Sequence, residues 1–210
     1  YEEAAQRILT AIEASTPELE LYLSHPERTY AVQPGDTLTS LSAKFGMPPG
    51  LVAAANTDID IDKLSVGQGV RIPSQDILTP YMPVHGKKII VSLEEQRVRL
   101  YENDTLIHDW PVSTGMKDSP THRGTFQVLE KYPEAYASQW DLLMPYFVSV
   151  YVAGGGVENG FHELPILSSG QRLWEGNLGS PASYGCIILG IPEAQTLYEW
   201  AEAGVIVEIR

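Results

Sequence analysis

From Lys87 to Arg210 the chain is a succession of short strand-like runs divided by turn residues, and that punctuation narrows its possible folds most. In "KKIIVSLEEQRVRLYEND" an alternation runs through Ile90, Ser92, Gln96, Val98 and Leu100, breaks at Glu94-Glu95 and turns at Asn103-Asp104-Thr105. Side chains of a strand point alternately to opposite faces, so a period of two buries one face. "LIHDWPVSTG" follows as the hairpin partner, "GTFQVLEKY" reads as a further strand, and "YFVSVYVAGGG" as another. Near the end the period changes: "PEAQTLYEWAEAG", from Pro192, reads as an amphipathic helix capped by Gly204, and "VIVEIR" as a last strand. Fifteen prolines and 18 glycines supply the turns that such a chain needs. The expectation over 87–210 is a β-sandwich or closed β-architecture.

The first 86 residues have a different texture. Ala4, Ala5, Ile8, Leu9 and Ile12 recur at helical spacing and the pattern stops at Ser15-Thr16-Pro17. Thr16 is positioned to cap a second piece carrying Leu19, Leu21 and Leu23. Residues 1–28 hold six acids and two arginines, which reads as a solvated helical segment. Residues 29–73 read as a βααβ module: a short strand, a Pro-Gly turn, helical faces at Leu38/Leu41/Phe45 and Leu51/Val52/Ala55, and a closing strand through Val70 and Ile72. "PSQDILTPYMP" holds three prolines and no apolar period, so 74–86 reads as a stiff linker.

Composition excludes some functions. Fourteen Lys and Arg against 27 Asp and Glu give a formal charge of −13, contrary to the basic surface that nucleic acid or anionic lipid requires. No run approaches the roughly 20 apolar residues of a membrane span. The opening "YEEAAQRILT" lacks a signal-peptide pattern and an initiator Met, so the expectation is a trimmed form whose export signal or anchor lies upstream. A single cysteine forms no intrachain disulfide and leaves the redox compartment open.

That cysteine, Cys186, stands in "GSPASYGCIIL". It is either a small buried hydrophobe or a nucleophile on a tight turn, which needs a histidine as base. His25 and His85 flank the module and linker, His108 lies in a strand pattern and His122 in a turn. His162 differs, following the Gly-rich bend of "GGGVENGFHELP"; spacing alone leaves its pairing with Cys186 open. "HELPI" lacks the second His of a metalloprotease helix, and "GGGVENG" lacks dinucleotide-loop spacing, so neither a metal nor a cofactor is expected.

Two resemblances add to this reading. "YAVQPGDTLTSLSAKFGM", "LVAAAN" and "LSVGQGVRIP" resemble a LysM domain, with Val70 where Leu is usual. The resemblance implies binding of N-acetylglucosamine-containing glycan through Gly35, Asp36 and Thr37 and through the segment from Asn56 to Ile61. Turn formation by PGD and helix capping by Asn56 are the structural alternatives. "KKIIVSLEEQRVRLYENDTLIHDWPVSTG", "SPTHRGTFQV", "MPYFVSVY", "GFHELP" and "LGSPASYGCIIL" resemble the YkuD-type L,D-transpeptidase domain across 87–210.

What the second resemblance implies is a mechanism. His162 takes the proton of Cys186 to give a thiolate–imidazolium pair, with the other ring nitrogen held by the Glu163 carbonyl. The sulfur attacks the bond before the terminal D-Ala of a peptidoglycan stem tetrapeptide, and N–H groups of Tyr184, Gly185 and Cys186 receive the oxyanion. An amine then resolves the thioester into a 3→3 cross-link or a protein attachment; water would make the protein an L,D-carboxypeptidase. Ser183 is expected along the cleft, and Trp140, Tyr146 and Trp174 are candidates for its wall, with packing in the core the alternative for each aromatic. The family's His and Arg are replaced by Tyr184 and Ile188, His122 stands where Pro is usual, and Arg172 is a candidate for the missing charge. The resemblances place the protein outside the cytoplasm at the cell wall. A wall-binding protein with a weakened site is the alternative.

Overall fold

The structure, a computed structural model, describes residues 2–15, 24–154, 157–173 and 175–210. The expected Thr16 cap with Leu19, Leu21 and Leu23, and Trp174, lie outside them. Helix α1 (Glu2–Glu13) follows the apolar spacing, and its Ile8, Leu9 and Ile12 are exposed. Among the described residues no helix is long and apolar enough to cross a membrane.

The module is assembled from β1 (Arg28–Ala31), α2 (Leu38–Phe45), α3 (Pro49–Ala54) and β2 (Gly69–Ile72), with β1 and β2 antiparallel. Thr37 begins α2 through a reciprocal capping box with Ser40, and Gly46 ends it in the left-handed conformation at φ 61. Val32, Leu41, Met47, Val52, Val70 and Ile72 fill its interior.

The remaining chain runs through β3 (Lys87–Ser92), β4 (Arg97–Glu102), β5 (Thr105–Pro111), β6 (Gly124–Gln127), β7 (Lys131–Ala137), β8 (Leu142–Gly154), β9 (Val157–Glu163), β10 (Ile187–Leu189), α4 (Ile191–Trp200) and β11 (Ile206–Ile209). One sheet has the order β5-β4-β3-β11-β6 and the other β10-β9-β8-β7. Val91, Leu100, Phe126 and Val207 from the first and Val148, Phe161 and Ile187 from the second share one core, closed by Leu197 of α4. This is the mainly β, sandwich-like architecture expected, with a small α+β module ahead of it.

Three local expectations are corrected. "GTFQVLEKY" is not one strand: β6 ends at Gln127 and Lys131 begins β7 in the other sheet. The run before Cys186 contains β9, not only a bend. Helix α4 stops at Trp200 because Ala201 is extended (ψ 143), and Gly204 lies in the following turn, its N–H on Val128 O at 2.9 Å. The stretch expected as a stiff linker is packed against its neighbours. Its 3-10 turn (Gln75–Leu78) buries Leu78, and Tyr81 exchanges two hydrogen bonds with the Gln127 amide at 2.9 and 3.0 Å.

Candidate active site

Cys186 sits where a turn meets β10, and the preceding strand end holds that turn by its backbone. Ala182 and Ser183 donate N–H bonds to Thr114 O at 2.9 and 3.0 Å, Met116 N–H reaches Ser183 O at 2.9 Å, and Ser113 and Ile188 exchange a pair at 3.0 and 2.8 Å. Ser113 Oγ also donates to Ser180 O at 2.7 Å, and buried Gln96 brackets Thr114 with two bonds. The "VSTG" stretch is therefore the bed on which the turn lies. Within the turn, Ser183 Oγ accepts the Gly185 N–H at 3.1 Å and donates to Cys186 O at 2.6 Å. Gly185 has φ 119, and a Cβ there would lie 2.5 Å from Asn159 Nδ2, so a side chain has neither the backbone nor the space.

The base comes from the neighbouring strand. β9 and β10 are parallel with Ile188 opposite His162, which brings the residue before β10 beside the middle of β9. The His162 ring is buried, stacks on Phe147 at 6.1 Å between centroids, and has Nδ1 at 2.6 Å from Glu163 O. A carbonyl only accepts, so Nδ1 carries the proton and Nε2 is the ring's acceptor. Behind this carbonyl the buried Glu163 carboxylate pairs with Arg172, whose Nη1 also donates to Leu164 O at 3.0 Å.

His162 and Cys186 line one cavity of about 50 Å³ with Asn159, Ser183, Ile188 and Tyr184. Trp140, from the β7–β8 turn, roofs it by stacking on Tyr184 at 5.2 Å and 15°. Burial pushes the Cys186 thiol up to about 11, against a lowering backbone hydrogen bond from Gly160, and pushes His162 down to about 3. Burial therefore favours the neutral thiol and neutral imidazole over the ion pair at rest. The thiol donates to Asn159 Oδ1 at 3.4 Å. An outer groove of about 410 Å³ continues from Trp140, Met144 and Glu158 along Tyr132, Tyr136 and Phe147.

Several expected site residues serve elsewhere. Tyr146 packs on Tyr198 of α4 at 5.6 Å and does not line the cavity. Arg172 answers Glu163 behind the base and brings no charge to the thiol. Ser183 lines the cavity, yet its hydroxyl is spent inside the turn, and it holds the Gly185 N–H expected for an oxyanion.

In the module, buried Asn56 pins α3 to β2 through Val52 O, Arg71 O and Arg71 N–H, so its side chain is closed to a sugar. Asp36 accepts from Gln33 N–H and Tyr30 Oη, which together with the Lys44 charge hold its carboxyl below the usual range, and Thr37 Oγ1 serves the cap. Gly35 and Thr37 remain exposed. Among the described residues no cluster of three His, Cys, Asp or Glu could hold a metal. Thr121 and Tyr151, which join the site here, lie in the "SPTHRGTFQV" and "MPYFVSVY" stretches and Asn159 in "GGGVENG", where nothing pointed to their individual roles.

A thiol-bearing turn beside a histidine-bearing strand is the arrangement of a cysteine–histidine site, and comparison with known proteins gives the family. The YkuD L,D-transpeptidase catalytic domain matches residues 86–209 and the LysM domain residues 30–73. The chain belongs to the YkuD L,D-transpeptidase family, with a LysM domain ahead of the catalytic domain. It is 34% identical over 107 residues to the Bacillus licheniformis protein named as the L,D-transpeptidase YkuD, covering half of this chain and 61% of that one. The chain thus spans about three fifths of that relative's length. With YciB of Bacillus subtilis, also named as an L,D-transpeptidase, identity is 30% over 151 residues, 69% of this chain and 71% of that one. Two solved structures share the fold. An L,D-transpeptidase from Mycobacterium smegmatis has TM-score 0.52 and 19% identity over 70% of this chain and 64% of its own. LdtMt1 in complex with imipenem has TM-score 0.52 and 15% identity over 93% and 96%.

Proposed function

We propose that the protein is a cysteine-dependent peptidoglycan L,D-transpeptidase acting at the cell wall. Cys186 and His162 in one cavity, with Nδ1 of the imidazole occupied by Glu163 O, is the observation that carries this reading. Because both groups rest neutral, the thiol proton passes to Nε2 as the sulfur attacks, after Cys186 turns from Asn159 toward the ring. The attacked carbonyl is that of the third stem residue. The carbon–sulfur bond forms, the bond to D-Ala breaks, and the imidazolium returns its proton to the leaving amine. A stem amine then attacks the thioester, its proton passes through His162, and the thiol is regenerated with a 3→3 cross-link.

A cavity of about 50 Å³ takes one or two waters rather than a peptide, so the stem enters by way of the larger groove outside Trp140. The LysM domain supplies affinity for N-acetylglucosamine-containing glycan, and the exposed backbone around Gly35 and Thr37 is its contact in this reading. The test is mass spectrometry of a disaccharide-tetrapeptide incubated with the protein or with Cys186→Ala. A 3→3 dimer made only by the unsubstituted protein supports the proposal. Tripeptide alone would make it an L,D-carboxypeptidase, and no product from folded protein that retains glycan would leave it a wall-binding protein.

A further inference from the structure

Thr121, in "THRG", lines no part of the thiol cavity, yet its side chain ends on the nucleophile turn. The residue is 4% exposed. Its Oγ1 accepts the Gly115 N–H at 2.9 Å and donates to Gly185 O at 2.8 Å. Tyr151 adds a second, longer donor to the same carbonyl, Oη at 3.5 Å. That hydroxyl is itself fixed by the His122 N–H at 3.1 Å and by Asn159 Nδ2 at 3.3 Å. Two hydroxyls from distant parts of the chain therefore converge on one backbone oxygen.

The consequence lies on the far side of that peptide. In a trans peptide the C=O and the following N–H point in opposite directions, and among the described residues no peptide is cis. Drawing Gly185 O back toward Thr121 and Tyr151 turns the Cys186 N–H away from them. The Gly185 N–H is already given to Ser183 Oγ. The Cys186 N–H is then a backbone donor of the turn with a fixed direction beside Sγ.

We infer that Thr121, seconded by Tyr151, is a positioning residue that aims the Cys186 N–H at the oxyanion formed when the sulfur attacks a carbonyl. The inference rests on Cys186 being an acylated nucleophile, the reading proposed above. Its force comes from geometry: an oxyanion donor works only within a few tenths of an ångström of its place. Replacing Thr121 by valine keeps the shape, removes the clamp, and lets the peptide rock.

Two electrophiles separate this role from general support of the fold. Iodoacetamide is attacked at a saturated carbon, where the S–C bond forms as iodide leaves and no oxyanion arises. p-Nitrophenyl acetate is attacked at a carbonyl, passes through an oxyanion, and loses p-nitrophenolate to leave acetyl on sulfur. Thr121→Val is expected to slow acetylation by ~10- to 100-fold, toward the loss seen when an oxyanion donor is removed, while alkylation stays near the wild-type rate. Thr121→Ser, which keeps the hydroxyl, recovers most of the acetylation rate. Tyr151→Phe, the milder change, shows the same selectivity with a smaller loss, and reads the clamp even where Thr121→Val folds poorly. Equal falls in both reactions for both variants, or acetylation unchanged by Thr121→Val, would overturn the inference. If the unsubstituted protein takes acetyl but leaves the stem tetrapeptide intact, the peptidoglycan reading fails and the clamp stands.

Discussion

Arg172 and Glu163 show how a charge pair can brace the proposed base without touching the thiol. The Glu163 side chain is 4% exposed, its carboxylate is paired with Arg172, and its backbone oxygen holds His162 Nδ1. Removing one partner of a buried pair leaves the other charge uncompensated, which costs far more than the pair contributes. Arg172→Ala is therefore expected to lower the unfolding free energy by ~3 kcal/mol or more, read by urea titration, whereas the neutral pair Glu163→Gln/Arg172→Gln recovers much of it. An Arg172→Ala protein as stable as the parent would show that solvent already screens the pair. Legibility at this scale followed sequence distance. Cys186 and His162 stand in motifs and were readable; Arg172 was readable as a residue but not as the partner of Glu163. Thr121 acts across 64 residues on Gly185, a relation made only by the sheets that bring the two loops together.

The β7–β8 hairpin controls what reaches the sulfur. Its turn carries Trp140, which lies on Tyr184 over the cavity, and Leu142 and Met144 of β8 line the wall below. The same roof limits water at the half-buried Cys186, and desolvation is the leading cause of its raised pKa. A raised thiol pKa delays ionisation, so iodoacetamide alkylation of the free protein should climb with pH toward about 11. Trp140→Ala admits water and should move that midpoint down toward the ordinary cysteine value of ~8.5, with faster alkylation at pH 8. An unmoved midpoint would assign the shift to the strand bed instead of the hairpin. The elements themselves were unequally readable. β4 alternates cleanly, and its hairpin to β5 turns at Asn103 and Asp104, both left-handed at φ 47 and 61, as a two-residue hairpin requires. β7 carries Pro133 and β9 carries Gly160, residues that argue against strands when met in sequence. Gly160 is there because a Cβ would lie 1.9 Å from Val148 O, a constraint set by the partner strand.

Across the whole molecule the LysM unit and the catalytic sandwich are joined by a seam rather than a tether. Helix α3 lies against β8, Gln75 Nε2 donates to Phe45 O at 3.0 Å, and Leu78, 5% exposed, shares a cavity of about 90 Å³ with Leu51, Leu129 and Val150. A βααβ unit of this size is near the lower limit for folding alone, so the contact with its larger neighbour adds to its stability. The two should then unfold as one: calorimetry should show a single transition with matching calorimetric and van't Hoff enthalpies. Leu78→Asp puts an unpaired carboxylate into the seam, a cost of several kcal/mol against a total stability of ~5–15. It should split the trace, the LysM unit melting first and the sandwich keeping most of its melting temperature. One transition, shifted but undivided, would mean the seam is stronger than the charge. Two transitions already in the unsubstituted protein would mean that the docking contributes orientation and little stability. The split outcome has a consequence for function. Under the proposed function, a seam that holds the LysM loops at a fixed distance from Cys186 would select stem peptides at a matching distance along the glycan, and Leu78→Asp would abolish that selection while leaving cleavage of a free tetrapeptide intact.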